Sequence, residues 1–319
     1  MTPNITLLLP VKNGQLYIQE SILNLSQIAG SEDEILIIDD GSTDQTPALV
    51  KKSIQIDGRI RYIKNSGVGL VDALNLGINE SANEWIARCD VDDLYSEDRI
   101  SLQKTYIRPE VSAIFTDYKF IGSDSSDFGT MPGAISRHAV SLSLAKSQRT
   151  AHPSVMYRKT AVNDVGGYRT QDFPTEDLSL WLRMAKEGQL ISVPKVLLNY
   201  RLTKGSVSGT KRKLIQAKSR EIVSKIGINC PDYIFVKENL GKIFEEYDQF
   251  SLPARRKLLL LRELSIVSAN PQRYGLLDQK SEILFKSMKH VLRKESLAEI
   301  FKLKTEKEAR DRLRDSNHE

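Results

Sequence analysis

Two short apolar runs, each ending in a cluster of aspartates, constrain this chain more than any other feature. Ile35-Leu36-Ile37-Ile38 leads directly into Asp39-Asp40-Gly41-Ser42-Thr43-Asp44, and Trp85-Ile86-Ala87-Arg88-Cys89 leads into Asp90-Val91-Asp92-Asp93. Short, nearly continuous apolar runs are the pattern of strands covered on both faces. Ile5–Leu9 is another such run, Glu84–Arg88 is the strand candidate before the second cluster, and Arg59–Lys64 alternates polar and apolar residues. Between them lie helical spacings: Tyr17, Ile22, Leu25 and Ile28 in one segment, Leu70, Leu74 and Ile78 in the next. Strand–helix alternation of this kind predicts βαβ units and an α/β fold around a mostly parallel sheet flanked by helices. Ligands of such sheets gather in the crevice beyond the carboxyl ends of the strands. Both aspartate clusters fall there.

With 319 residues, 40% of them hydrophobic, the chain can build one large domain plus an appendage, or two modest domains. No stretch approaches the roughly eighteen apolar residues that span a bilayer. The first apolar run is broken by Pro10 and followed by Lys12 and Asn13, unlike a signal peptide. Cys89 and Cys230 lie far apart and suggest no disulfide framework, and the four histidines lack zinc-like spacing. A cytoplasmic location is the expectation. From about Lys211 the pattern changes to long helical stretches rich in Lys, Arg, Glu and Leu, which places a boundary near 205–215, after the Gly205–Gly209 loop. Residues 1–210 carry 22 Lys and Arg against 25 Asp and Glu, whereas residues 211–319 carry 24 against 16. The basic tail has no helix-turn-helix, zinc or aromatic stacking signature, so nucleic acid is not an expected partner.

Asp90 and Asp92, two residues apart, point to one side if the backbone is extended. With Asp93 they form three close carboxylates that repel one another unless a positive charge intervenes. A hard divalent cation shared with substrate phosphates supplies that charge and, as a Lewis acid, stabilises a departing diphosphate. A solvated acidic turn has the same composition, and the triplet alone does not separate the two. Asp39-Asp40-Gly41-Ser42 also uses ordinary turn residues, with Thr43-Asp44 suited to cap the next helix. Adjacent carboxylates at a buried strand end can instead accept hydrogen bonds from a nucleobase imide or ribose hydroxyls. Farther on, Pro174-Thr175-Glu176-Asp177-Leu178 opens a helical pattern through Trp181, Leu182 and Ala185, with Thr175 at the N-cap position. The helix dipole favours acids in this first turn and is expected to lower the pKa of Asp177. A base for an alcohol acceptor must be a positioned carboxylate or histidine, and no nearby histidine has a better claim.

Together these segments resemble glycosyltransferase family 2, inverting enzymes of the GT-A fold. The matching pieces occur in the family's order over residues 4–210. They are Leu9-Pro10-Val11-Lys12-Asn13, Ile38 to Asp44, Asn65-Ser66-Gly67 with Ala73 to Ile78, Cys89 to Asp93, His152-Pro153-Ser154, Gly166-Gly167-Tyr168 and Glu176-Asp177. The resemblance implies a GT-A catalytic domain over 1–210, with a nucleotide-binding half at 1–95 and an acceptor half at 96–210, followed by a basic, mainly helical region at 211–319. It implies transfer of a sugar from a UDP, dTDP or GDP donor to a hydroxyl of a glycan or lipid-linked glycan, in cell-surface polysaccharide or glycan biosynthesis. Pro10, Asn13, Asp39, Asp40 and Asp90 would serve the nucleotide. Asp92, with Asp90, would hold Mg2+ or Mn2+, and Asp177 would take the acceptor proton with Glu176 orienting it. His152 lies on the acceptor side, and Trp181 is either core or sugar platform.

One departure stands out. Many family members have Tyr-Arg-x-His after the base helix, whose His completes the metal shell, whereas this chain reads Tyr200-Arg201-Leu202-Thr203. Arg201 and Lys204 are candidates for holding the diphosphate, and the loop from Gly205 is a candidate lid. Two other readings compete. Gly67-x-Gly69 followed by Asp90 hints at an NAD-binding oxidoreductase, but Asp72 occupies the third glycine position. A non-catalytic nucleotide-sugar-binding or scaffold protein would have no use for Asp92 and Asp177. In the tail, Leu258 to Leu261 and Leu284, Met288, Val291 and Leu292 form apolar faces flanked by Lys and Arg. Packing against the catalytic domain is the simpler expectation for them. Peripheral contact with the inner face of a membrane is the sharper one.

Overall fold

A computed structural model describes residues 3–131, 140, 144, 150–203 and 211–226. Strand β1 (Ile5–Val11), helix α1 (Ile18–Ile28), β2 (Glu34–Asp39), α2 (Thr46–Ile54), β3 (Ile60–Lys64), α3 (Leu70–Glu80) and β4 (Trp85–Arg88) alternate without interruption. β1 pairs in parallel with β2 on one side and with β4 on the other, and β2 pairs in parallel with β3. The four strands and helices α1 and α3 fall within a residue or two of the expected apolar patterns, whereas α2 had no pattern of its own and was expected only as a helix after Thr43-Asp44. Edge strand β3 is only partly covered, with Ile60 buried, Tyr62 and Ile63 half-buried, and Arg61 and Lys64 exposed.

After the short β5 (Leu94–Tyr95) and α4 (Arg99–Lys104), the pattern turns mixed. β6 (Val111–Ile121), β7 (Asp127–Met131), β8 (Met156–Arg158) and β9 (Gln189–Arg201) follow, with α5 (Lys159–Asp164) and α6 (Glu176–Met184) before β9 and α7 (Arg212–Ile226) after it. The sheet order is β3-β2-β1-β4-β8-β6-β9-β5, with β7 pairing β6. β6 and β9 are parallel, while β8, β5 and β7 run antiparallel to their neighbours. The sheet is therefore mostly parallel, as expected, with antiparallel insertions that the sequence patterns did not mark.

Alternation along the central strands splits the core in two. Ile5, Leu7, Leu9, Ile35 and Ile37 face α1 and α2, packing on Ile18, Ile22, Leu25 and Val50. Leu8, Leu36 and Ile38 face the other way, with Leu74 and Ile78 of α3 and Leu178 and Leu182 of α6. Gly77 lets α3 lie close against β1, since a Cβ there would lie 2.2 Å from Leu8 Cδ1. Helix α7, the first element past the expected boundary, packs on this second face through Ile222, and Lys218 donates to the carbonyls of Gln171 and Phe173 at 2.8 and 2.7 Å. No helix of the described residues is long and apolar enough to cross a membrane. Lys204, the candidate lid from Gly205, Cys230 and the apolar faces from Leu258 to Leu292 lie outside the described residues.

Candidate active site

The strand order reverses at β1, so the carboxyl ends of β1, β2 and β4 open onto one crevice. The loop after β1 is sewn to the loop after β2. Asn13, in the left-handed region at φ 53°, donates its N–H to Ser42 Oγ at 2.8 Å, and its side-chain oxygen accepts from Thr43 N–H at 2.9 Å. Gln45, and not Thr43 or Asp44, takes the N-cap position of α2 and makes no side-chain cap bond, while Asp44, one residue earlier, accepts from Thr46 N–H at 2.9 Å. Pro10 lies within β1, opposite Ile38, and shapes the strand end.

The paired aspartates divide their work. Asp39 is fully buried, with Oδ1 accepting from Ser42 N–H at 2.8 Å and Oδ2 from the Tyr62 hydroxyl at 2.6 Å. Burial, then the bond to Asp39, pushes the Tyr62 hydroxyl pKa up. Both Asp39 oxygens thus serve to shape the loop. Asp40 accepts from Asn65 Nδ2 at 3.1 Å and from the Gly69 N–H with both oxygens, at 3.2 and 3.0 Å, with Lys12 Nζ at 3.5 Å. This carboxylate occupies the N-terminus of α3. A dinucleotide pyrophosphate would need that same position, so the oxidoreductase reading fails on a protein anion already seated there.

The second cluster is a turn rather than an extended segment. Asp93 N–H reaches back to the Asp90 carbonyl at 3.4 Å. The turn gathers Asp90, Asp92 and Asp93 so that one carboxylate oxygen from each lies within 4.8 Å of the others. Extended alternation would have sent Asp93 to the opposite side. Burial and then neighbouring Asp90 raise the pKa of Asp92, and burial, Asp90 and Asp92 raise that of Asp93 well above the usual carboxylate range. Asp93 Oδ1 accepts from Arg201 N–H at 2.8 Å, while its buried Oδ2 has no partner. An oxygen-only, mutually repelling donor set with an orphaned buried oxygen fits a hard divalent cation. Thr203 donates to Asp92 Oδ2 at 3.0 Å, from the position where the resemblance led one to look for His.

On the acceptor side, Glu176 and Asp177 open α6. Thr175 takes the N-cap position, but its hydroxyl donates backwards to the Asp172 carbonyl at 2.9 Å. Asp177 Oδ1 accepts from Leu178 N–H at 2.7 Å. Its pKa is nevertheless raised, because burial outweighs the helix N-terminus, and the expected lowering does not hold. Burial, then Asp177, push Glu176 up to about 7, and Glu176 Oε2 is buried without a partner. His152 Nε2 lies 2.7 Å from the Tyr168 hydroxyl, and burial, then Arg88, hold its pKa well below the usual histidine range. Asn75 of α3 clasps the Tyr168 backbone, donating to its carbonyl and accepting from its N–H, both at 2.9 Å.

Arg88 is the residue that sequence reasoning passed over. It is 3% exposed, pairs with Asp90, and lowers the pKa of both Glu176 and Asp177. One buried cation therefore acts on the aspartate turn and on the acidic start of α6. The signal was a charged residue inside an otherwise apolar strand. Two other candidates change role. Arg201 is 3% exposed and spends its guanidinium on the Asp92 carbonyl (2.7 Å), the Ser123 carbonyl (3.2 Å), Ser125 Oγ (3.3 Å) and Glu20 (3.0 Å). That makes it an internal brace instead of a diphosphate ligand. Trp181 is fully buried among Phe115, His152, Tyr157 and Tyr168, so it is core and no sugar platform.

Comparison with known proteins agrees with this geometry. Residues 6–164 match the model of "Glycosyl transferase family 2". An uncharacterized glycosyltransferase of Haemophilus influenzae is 25% identical over 251 residues, covering 71% of this chain and 76% of that protein. The Escherichia coli UDP-Gal:alpha-D-GlcNAc-diphosphoundecaprenol beta-1,3-galactosyltransferase is 26% identical over 220 residues, covering 64% of this chain and 76% of that enzyme. Among solved structures, Staphylococcus aureus TarS with UDP-GlcNAc aligns at TM-score 0.58 and 18% identity, over 85% of this chain and 82% of that one. The mannosyltransferase PcManGT of Pyrobaculum calidifontis, with GDP-Man and Mn2+, aligns at 0.54 and 16%, over 92% and 85%. At these identities the structures show the fold alone, which is the α/β GT-A type.

Proposed function

With residues 6–164 matching glycosyl transferase family 2, we propose that this chain is a metal-dependent, inverting glycosyltransferase. It moves a sugar from a nucleoside diphosphate to a hydroxyl of a glycan or lipid-linked glycan, in polysaccharide biosynthesis. The observation that carries this reading is the placement of two acidic groups under one buried cation. Asp90, Asp92 and Asp93 gather within 4.8 Å of one another, and Arg88, paired with Asp90, also bears on Glu176 and Asp177. The PcManGT structure with Mn2+ and the galactosyltransferase relative acting on a lipid diphosphate support the same class.

Asp92 and Asp90 would hold Mg2+ or Mn2+, with Asp93 behind them. That ion supplies Lewis-acid stabilisation of the departing diphosphate. Asp40 meets the base, and the Asn13–Ser42–Thr43 bonds fix the loop that carries it. Asp177 accepts the acceptor hydroxyl proton while that oxygen bonds to the anomeric carbon and the bond from that carbon to the diphosphate oxygen breaks. Its raised pKa makes it a stronger base than an exposed aspartate. Glu176, with its unpartnered oxygen, orients the acceptor or shares the proton. The catalytic domain is residues 1–210, and the excess of basic residues in 211–319 suits an acceptor carried at the inner face of a membrane.

Calorimetric titration of the full chain with UDP, dTDP and GDP, each with Mn2+ and with EDTA, tests this reading. Metal-dependent binding of at least one nucleotide, lost in Asp92→Ala, is the expected result. Binding that ignores both metal and Asp92 would remove the metal assignment.

A further inference from the structure

The aspartate turn after β4 does not hold itself. We propose that Tyr95, clasped by Asn24, is a positioning residue for the metal-binding aspartates, its hydroxyl fixing the Asp90 main chain where the carboxylates converge; this rests on the metal-dependent reading above and deepens it.

Three carboxylates gathered within 4.8 Å of one another repel, so the backbone that carries them must be restrained. The turn's own bond, from Asp93 N–H to the Asp90 carbonyl, is long at 3.4 Å. Cys89 N–H still follows the sheet, donating to the Leu8 carbonyl at 2.8 Å. Asp90 N–H, the next along, donates to the Tyr95 hydroxyl at 2.8 Å. A side chain therefore takes the place of a strand partner at the first aspartate of the turn.

Tyr95 is 3% exposed, and each part of it is held. Its N–H donates to Asn24 Oδ1 at 2.8 Å and its carbonyl accepts from Asn24 Nδ2 at 3.0 Å, a two-point clasp from α1 across 71 residues. Its backbone pairs with Leu198 of β9. The Arg99 guanidinium lies 4.2 Å from the centroid of its ring. Arg99 is fully buried and donates to the Arg88 carbonyl at 2.9 Å, the Val155 carbonyl at 3.2 Å and Gln103 Oε1 at 3.2 Å, so the cation over the ring is itself tied to the end of β4. Phenylalanine would fill the same space and keep this stack. The hydroxyl is what tyrosine adds, and its one printed bond goes to Asp90. Ligands fixed before an ion arrives lose less freedom on binding it, so loosening Asp90 weakens the site without touching a carboxylate.

The test is Mn2+ titration of the full chain by electron paramagnetic resonance, for wild type, Tyr95→Phe, Asn24→Ala and the double variant, with a thermal melt of each. Tyr95→Phe is expected to bind Mn2+ about three- to thirtyfold more weakly, the effect of leaving one partly buried N–H unpaired, at a temperature where it is fully folded. Asn24→Ala should weaken binding in the same direction. The double variant should bind as weakly as Tyr95→Phe alone, because both changes act through one bond. A purely structural role would lower the melting temperature and leave Mn2+ affinity unmoved. If Asn24→Ala does not fold, Tyr95→Phe alone decides. Unchanged Mn2+ affinity in Tyr95→Phe, or losses that add in the double variant, overturn the proposal and leave the metal-dependent reading standing. A wild type that binds no Mn2+ removes both.

Discussion

The Thr203 hydroxyl donates to Asp92 Oδ2 at 3.0 Å, so the end of β9 reaches across the fold to the aspartate turn after β4. The bond favours the ionised form of a carboxylate whose burial and neighbour Asp90 work the other way. Removing it with Thr203→Val should weaken Mn2+ binding by about three- to tenfold, the worth of one such hydrogen bond. Titration of Mn2+ by electron paramagnetic resonance reads this directly. Unchanged affinity would mean that the hydroxyl has no part in holding Asp92.

Glu176 makes stability depend on pH. Its pKa is about 7 in the folded chain against 4.5 for the free side chain. The folded state therefore favours the protonated form. The associated stability is complete below pH 4.5 and is lost as pH rises through 7. Glu176→Gln removes that loss and should raise stability at pH 8 by roughly 2–3 kcal/mol relative to wild type, with little change at pH 4.5. Urea unfolding at the two pH values checks it. Activity should fall in the same variant, the cost of a carboxylate kept buried for its chemistry.

Arg201 braces Asp92, the turn at Ser123–Ser125 and Glu20 from one guanidinium. Arg201→Met leaves the half-buried Asp92 carbonyl and the more exposed Ser123 carbonyl short of a donor and strips the buried end of β9 of its brace. A destabilisation of about 2–4 kcal/mol is expected, and Arg201→Lys should recover only part of it. Urea unfolding measures both. Stability equal to wild type, with donor affinity alone reduced, would return Arg201 to the diphosphate.

Much of this site was legible before any coordinates. Apolar runs ending in aspartates placed Asp39, Asp40, Asp90 and Asp92 at strand ends, and four strands and two helices followed from periodicity alone. What stayed hidden depends on distant partners. Asp39 is closed by Tyr62 and Arg201 is claimed by Glu20, contacts spanning 23 and 181 residues that no local pattern records. β8 has only three residues, too few for a period, and β9 carries Pro194 and Lys195 at a register shift against β6. The pKa of Asp177 went the opposite way because its helix start is buried, and burial is a tertiary property.

The most direct measurement is nucleoside diphosphate release from a panel of nucleotide sugars, by wild type and Asp177→Asn side by side with Mn2+. Loss of a positioned general base costs about 10²–10⁴-fold in rate. The account predicts release by wild type from at least one donor, a fall of at least about 100-fold in Asp177→Asn, and nucleotide affinity within about threefold between the two. Wild-type release that survives in Asp177→Asn, or a wild type that binds nucleotide and releases nothing from any donor, would contradict it.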